Sequence, residues 1–134
     1  MTRSMLLGAG LVRGVARGVA CVSRQPLSVA RINVNTGILE EPGHALSGIR
    51  LAGTILCFPE GKGSSSGSYV LMNLSERGTA PKAIVMCKPD AIVTAGAHIA
   101  GIPMVGGITP EALLEIPVGC LLRVDGSSGV ISFP

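Results

Sequence analysis

Apolar residues in this chain fall into short continuous runs separated by glycine, proline and serine, with few long helical stripes. Short Val/Ile/Leu-rich runs bounded by turn formers read as strands. Leu6–Val12 and Gly18–Ser23 are the first two, parted by Arg13-Gly14. Gln25-Pro26-Leu27-Ser28 breaks the pattern, and residues 31–48 read as a long loop in which Asn33, Asn35, Gly37, Pro42, Gly43 and Gly48 are turn formers. A loop of this length inside a compact domain is usually functional or interfacial.

Gly53–Phe58 is a continuous apolar run ending at Pro59, which suits a buried parallel strand. It feeds a glycine- and serine-rich turn. The spacing from Tyr69 to Leu74, closed by Arg77-Gly78, then predicts an amphipathic helix with a C-terminal glycine. Ala83–Cys87 reads as a second buried strand, Asp90–Ala97 as a short helix and Ile99–Val105 as a third strand. Thr109-Pro110 opens a short helix, with Thr as cap and Pro at its first position. Cys120–Val124 and Val130–Phe133 flank Asp125-Gly126-Ser127-Ser128-Gly129 as a hairpin, and Asp125 belongs most simply to its turn. The order is that of an α/β fold: a central strand–helix–strand crossover, expected to be parallel and right-handed, with a flanking β layer. One domain over residues 1–134 is expected.

Composition sharpens this reading. Apolar residues make up 47% and charged residues 14%, against about 25% charged in an average soluble domain. So little charge implies that part of the surface is covered by another chain. The net charge is +3, carried mostly by Arg3, Arg13, Arg17, Arg24, Arg31 and Arg50. With two Phe, one Tyr and no Trp, the chain lacks the aromatic platforms of single-stranded nucleic-acid binders, so no nucleic-acid partner is expected. A diffuse positive field favours a small anionic molecule. Cys21, Cys57, Cys87 and Cys120 show no C-x-x-C spacing, so no metal or cluster site is expected in this chain. Cys57 and Cys87 read as small buried hydrophobes. No apolar run approaches the length of a membrane span, and the short run after Arg3 is interrupted at Arg13 and Arg17. The expected location is the cytoplasm, with no membrane partner.

The informative stretch is Pro59 to Tyr69. Gly61, Gly63 and Gly67 allow a backbone to approach a ligand closely, and the serines lie at a helix N-terminus, where free N–H groups and the dipole favour negative charge. It is not a P-loop, because Lys62 precedes the last glycines. Nor does it support a self-sufficient serine hydrolase, since His98 is the only later histidine and is read as structural. From composition alone the turn is more simply a helix cap and flexible turn, which Ser and Gly commonly make.

Pro59-Glu60-Gly61-Lys62-Gly63-Ser64-Ser65-Ser66-Gly67-Ser68-Tyr69-Val70 resembles the signature of the small subunit, or swivel domain, of aconitase X proteins. Pro26-Leu27-Ser28, Thr36-Gly37, His44 before Leu46 and Gly48, Leu51-Ala52-Gly53, Gly78–Val85, Gly101-Ile102-Pro103 and Arg123-Val124-Asp125-Gly126 follow in family order. The resemblance implies a swivelling β/β/α domain that closes over a large aconitase-X-type subunit. That subunit would hold an iron–sulfur cluster or iron, with no cofactor in this chain. It implies a hydro-lyase that dehydrates a small anionic hydroxy acid, active only as the heteromeric complex. Ser64 would be the general base, while Gly63, Ser65 and Ser66 would hold carboxylate. Lys62 either helps hold a carboxylate or is a solvated loop lysine. His44 either touches substrate or is a loop histidine bonded to backbone. Where the family has Gly-Gly-Val-Asp-Pro before Thr-Gly, this chain has Ala30-Arg31-Ile32-Asn33-Val34; Arg31 is a cation that meets a carboxylate or phosphate, or faces solvent. Family members dehydrate cis-3-hydroxy-L-proline to 1-pyrroline-2-carboxylate or mevalonate 5-phosphate to an anhydro form. Eight Arg against three Lys favours a mesophilic bacterium and hence hydroxyproline. A non-catalytic scaffold built on the same fold is the alternative of another class.

Overall fold

The computed structural model describes residues 3–63 and 65–134. Its elements are β1 (Ser4–Leu7), β2 (Ala9–Val12), β3 (Val15–Val22), a 3-10 turn (Val29–Arg31), β4 (Ile55–Glu60), α1 (Gly67–Arg77), β5 (Ala83–Lys88), α2 (Ala91–Ala100), β6 (Met104–Gly106), α3 (Pro110–Glu115), β7 (Leu121–Asp125) and β8 (Val130–Phe133). The strands form one mixed sheet in the order β1-β8-β7-β3-β4-β5-β6-β2. β3, β4, β5 and β6 are parallel neighbours. The outer pairs are antiparallel.

β4 sits at the centre because it is apolar on both faces: Ile55, Leu56, Cys57 and Phe58 are all at 0% exposure. Alternation sends Leu56 and Phe58 under α1 and α2, with Leu71, Leu74, Ile84 and Met86. Ile55 and Cys57 face the other way, toward Leu113 of α3 and Leu122 and Val124 of β7. The strand runs through Pro59 to Glu60. Proline is tolerated because it falls between the Phe58–Met86 and Glu60–Lys88 pairs, beyond the last β3 partner at Cys57.

Each helix ends as its residues dictate. Gly78 takes a left-handed φ of 72° and closes α1 with its N–H on Leu74 and Ser75 carbonyls. Asp90 caps α2 by accepting from Val93 N–H, and Thr109 caps α3 by accepting from Ala112 N–H. α1 and α2 pack closely at Gly96, where a Cβ would stand 2.8 Å from Ser68 Cα.

Two expectations are corrected. The strand expected at Leu6–Val12 is two strands that break at Gly8: β1 pairs with β8, while β2 pairs with β6 at the far end of the sheet order. Gly8 is squeezed at this crossing, since a Cβ there would stand 2.6 Å from the Gly106 carbonyl oxygen. The third strand begins at Met104, not Ile99, because α2 continues to Ala100 and stops only where Gly101 takes a φ of 71°.

Candidate site at the glycine-serine turn

β4 brings the chain to Glu60 and α1 takes it away from Gly67, so residues 61–66 join a buried strand to a helix N-terminus. Glycine sets how tightly this turn sits. A Cβ on Gly67 would stand 3.0 Å from Val29 Cγ2, and one on Gly61 would stand 2.6 Å from Asp90 Oδ2. The turn is thereby wedged between residues 28–31 and the start of α2. Ser64 lies outside the described residues. Ser65 is exposed and Ser66 is the N-cap of α1, with no side-chain cap bond to the helix. α2 and α3 both have such bonds.

Four expected residues come together. Lys62, Gly63, Ser66 and Arg31 line one open cavity of about 630 Å³, with Ser28 and Glu41 in its wall. A second cavity of about 330 Å³ lies toward α2, walled by Val29, Gly61, Gly63, Gly67 and Ile92. Arg31 is exposed at the mouth, and its guanidinium has no hydrogen bond or ion pair among the described residues.

His44 does not line either cavity. Its Nδ1 accepts from Leu46 N–H at 3.0 Å, and its Nε2 lies 3.3 Å from Ser23 Oγ. The neutral ring therefore carries its proton on Nε2, directed at Ser23. The Ser23 hydroxyl in turn donates to the Gln25 carbonyl at 2.7 Å. Both ring nitrogens are engaged within the protein, which leaves neither for a substrate in this arrangement.

Sequence reasoning missed Glu41. Its side chain is 6% exposed, yet it is charged: Oε1 accepts from Ser28 N–H at 2.8 Å and Oε2 from Lys62 Nζ at 2.8 Å. Burial alone would raise its pKa. The bonds from Lys62 and Ser28 outweigh that and hold the carboxyl below its ordinary value. The one available signal was an acidic pair, Glu40-Glu41, before Pro42 in a charge-poor chain.

The aconitase X swivel domain family matches residues 5–133. The chain belongs to that family. The phosphomevalonate dehydratase small subunit of Pyrococcus furiosus is 46% identical over 127 residues, 94% of this chain and 92% of the relative. That of Methanocella arvoryzae is 42% identical over 125 residues, 92% of this chain and 95% of the relative. The crystal structure of Thermococcus kodakaraensis aconitase X in its holo-form has a TM-score of 0.92 at 39% identity, covering 98% of both chains.

As an aconitase X swivel domain, the chain is the small subunit of a dehydratase and implies a large-subunit partner. The preference for hydroxyproline finds no support, because these relatives are named for phosphomevalonate. The Arg-to-Lys ratio was a poor guide: it averages over the whole surface and says nothing of a pocket. Among the described residues, no three His, Cys, Asp or Glu side chains converge to hold a metal ion. Cys57 is fully buried in β4, and burial pushes its thiol well above its ordinary pKa, which keeps it from the thiolate form that metals need. Cys87 is only partly buried, less than its strand position suggested. These cysteines do not fit a cluster in this chain. No helix among the described residues is long and apolar enough to cross a membrane.

Proposed function

We propose that this chain is the small subunit of a mevalonate 5-phosphate dehydratase, with Ser64 as the general base. The observation that carries the reading is the 46% and 42% identity to small subunits named phosphomevalonate dehydratase, over 94% and 92% of this chain. In the elimination, the Ser64 oxygen, acting as an alkoxide, takes a proton from the carbon next to the substrate carboxylate. The C–H electron pair becomes the double bond, and the hydroxyl on the neighbouring carbon leaves with its bonding pair as hydroxide; this hydroxide and the proton that Ser64 later gives up together make the water eliminated, which restores the base. An iron–sulfur centre or iron in the large subunit supplies Lewis acidity at that leaving hydroxyl when bound.

This chain's part is to place the base and hold the anionic ends. The first N–H groups of α1 lack a side-chain cap from Ser66, which suits a carboxylate or phosphate oxygen. Gly63, Ser65 and Ser66 present that turn. Lys62 and Arg31 supply cations on the wall and at the mouth of the same cavity, and a phosphorylated hydroxy acid has two anionic groups to satisfy. Location in the cytoplasm and a single-domain organisation are part of the same reading.

The test is the reconstituted complex of this chain with its large subunit, assayed on mevalonate 5-phosphate and on cis-3-hydroxy-L-proline. Ser64→Ala is expected to lower kcat by about 10²–10⁴-fold, the usual worth of a positioned acid or base, with the complex still intact by gel filtration. A variant that keeps its turnover overturns the base assignment and favours a scaffold. Faster turnover of the hydroxyproline overturns the substrate.

A further inference from the structure

Glu41 stands out because a chain with 14% charged residues has put a carboxylate at 5% exposure beside a cavity. A buried carboxylate is costly unless every lone pair it turns inward is used. Here one oxygen is taken by the main chain of the 28–31 wall and the other by the side chain of the glycine-serine turn. Among the described residues this is the only ion pair. The partner end is asymmetric, since Lys62 keeps 55% of its side chain exposed. A lysine ammonium carries three N–H donors on a flexible stem. With one donor on Glu41, two more remain on an ammonium that lines the cavity, and the bond restricts the stem.

We propose that Glu41 is a positioning residue that acts through Lys62: it tethers the ammonium at the cavity wall in the orientation that receives an anionic group of the substrate. Arg31, at the same mouth, has no acidic tether among the described residues. The inference rests on the dehydratase reading above, and it adds a residue that neither the motif nor the resemblance marks.

The experiment is a double-mutant cycle on the two-subunit complex, read as kcat and KM for mevalonate 5-phosphate. Glu41→Gln keeps the size and the acceptor for Ser28 N–H, but sets an amide against the Lys62 ammonium. It is expected to raise KM about tenfold with kcat changed less than about threefold, the signature of lost substrate binding. In a Lys62→Met background the same change is expected to have less than about a twofold effect, because the residue it acts through is gone. An equal loss in both backgrounds overturns the proposal in favour of a purely structural role. An unchanged or lower KM for Glu41→Gln also overturns it, since it would mean that the carboxylate merely cancels the lysine's charge. Should Glu41→Gln fail to assemble, Glu41→Asp, which keeps the charge and shortens the reach, completes the same cycle against the same outcomes. Ser64→Ala separates the two levels. If it retains turnover, the assignment of Ser64 as the base falls while the tether stands or falls on the cycle alone; if the wild-type complex does not turn over mevalonate 5-phosphate at all, the substrate reading falls. If Ser64→Ala loses turnover while the cycle is additive, only the tether falls.

Discussion

Two irregular segments border the cavity, and they are built in opposite ways. The glycine-serine turn, residues 61–66, is short and gripped mainly at its ends, by the Gly61 and Gly67 approaches to Asp90 and Val29. The segment from Leu27 to Leu51 is several times longer and has only a 3-10 turn and isolated bridges, yet it is stitched down along its length. Leu27, Leu39 and Leu51 are at 0% exposure. Main-chain bonds such as Leu39 N–H to the Ile49 carbonyl, Gly48 N–H to the Leu39 carbonyl and Leu51 N–H to the Gly37 carbonyl hold it, and Glu41 and His44 fill its polar interior. Lack of regular secondary structure is therefore no measure of looseness here. The long segment is a packed wall, and the short turn is the less anchored of the two.

The sharpest way to break this contrast is Leu39→Ala. Truncating a fully buried leucine in a real core costs about 2–5 kcal/mol, and urea unfolding of the complex-free or assembled chain should show that loss. A cost below about 1 kcal/mol would demote the wall to a surface strap. Next comes Lys62→Met, which removes the bridge between the two segments. Lys62 is half exposed, so solvent screens the pair and the expected loss is about 1 kcal/mol. Its pH dependence carries a definite sign. Glu41 titrates below its ordinary value of 4.5 in the folded protein, so its contribution is fully present above that value and is lost as pH falls through the folded pKa. Melting curves of the two proteins should differ most at neutral pH and converge under acid. The smallest effect belongs to the turn. A Cβ on Gly63 meets nothing within 4 Å, so Gly63→Ala should change stability by no more than about 0.5 kcal/mol, with any consequence confined to substrate binding.

The same contrast explains what could be read from the residues alone. The strand–turn–helix from Gly53 to Gly78 was legible because each signal is local: a continuous apolar run, then glycine and serine, then Leu71 and Leu74 on one helical face, then a terminal glycine. α3 and the β7–β8 hairpin were legible for the same reason. The wall was recognised only as a loop. Its organisation depends on pairings between residues far apart in sequence, and nothing local distinguishes a buried Glu41 from a solvated Glu40; the partner that decides it, Lys62, is 21 positions away. At Gly8 a continuous apolar stretch concealed a change of partner strand, since both halves carry the same strand-like residues. Of the expected site, Lys62, Gly63, Ser66 and Arg31 share a cavity, whereas His44 is committed elsewhere.

The break at Gly8 gives this sheet an uncommon selvedge. Successive four-residue halves of one ribbon, β1 and β2, bind off opposite margins of the fabric, on β8 and β6, and the β7–β8 turn is pressed on the seam so closely that a methyl on Gly126 would collide with the Val12 carbonyl. Unpaired margins are where sheets recruit strangers and polymerise. A nick that released the chain ahead of Val12 would fray two margins in one event, so one short ribbon covers both β8 and β6.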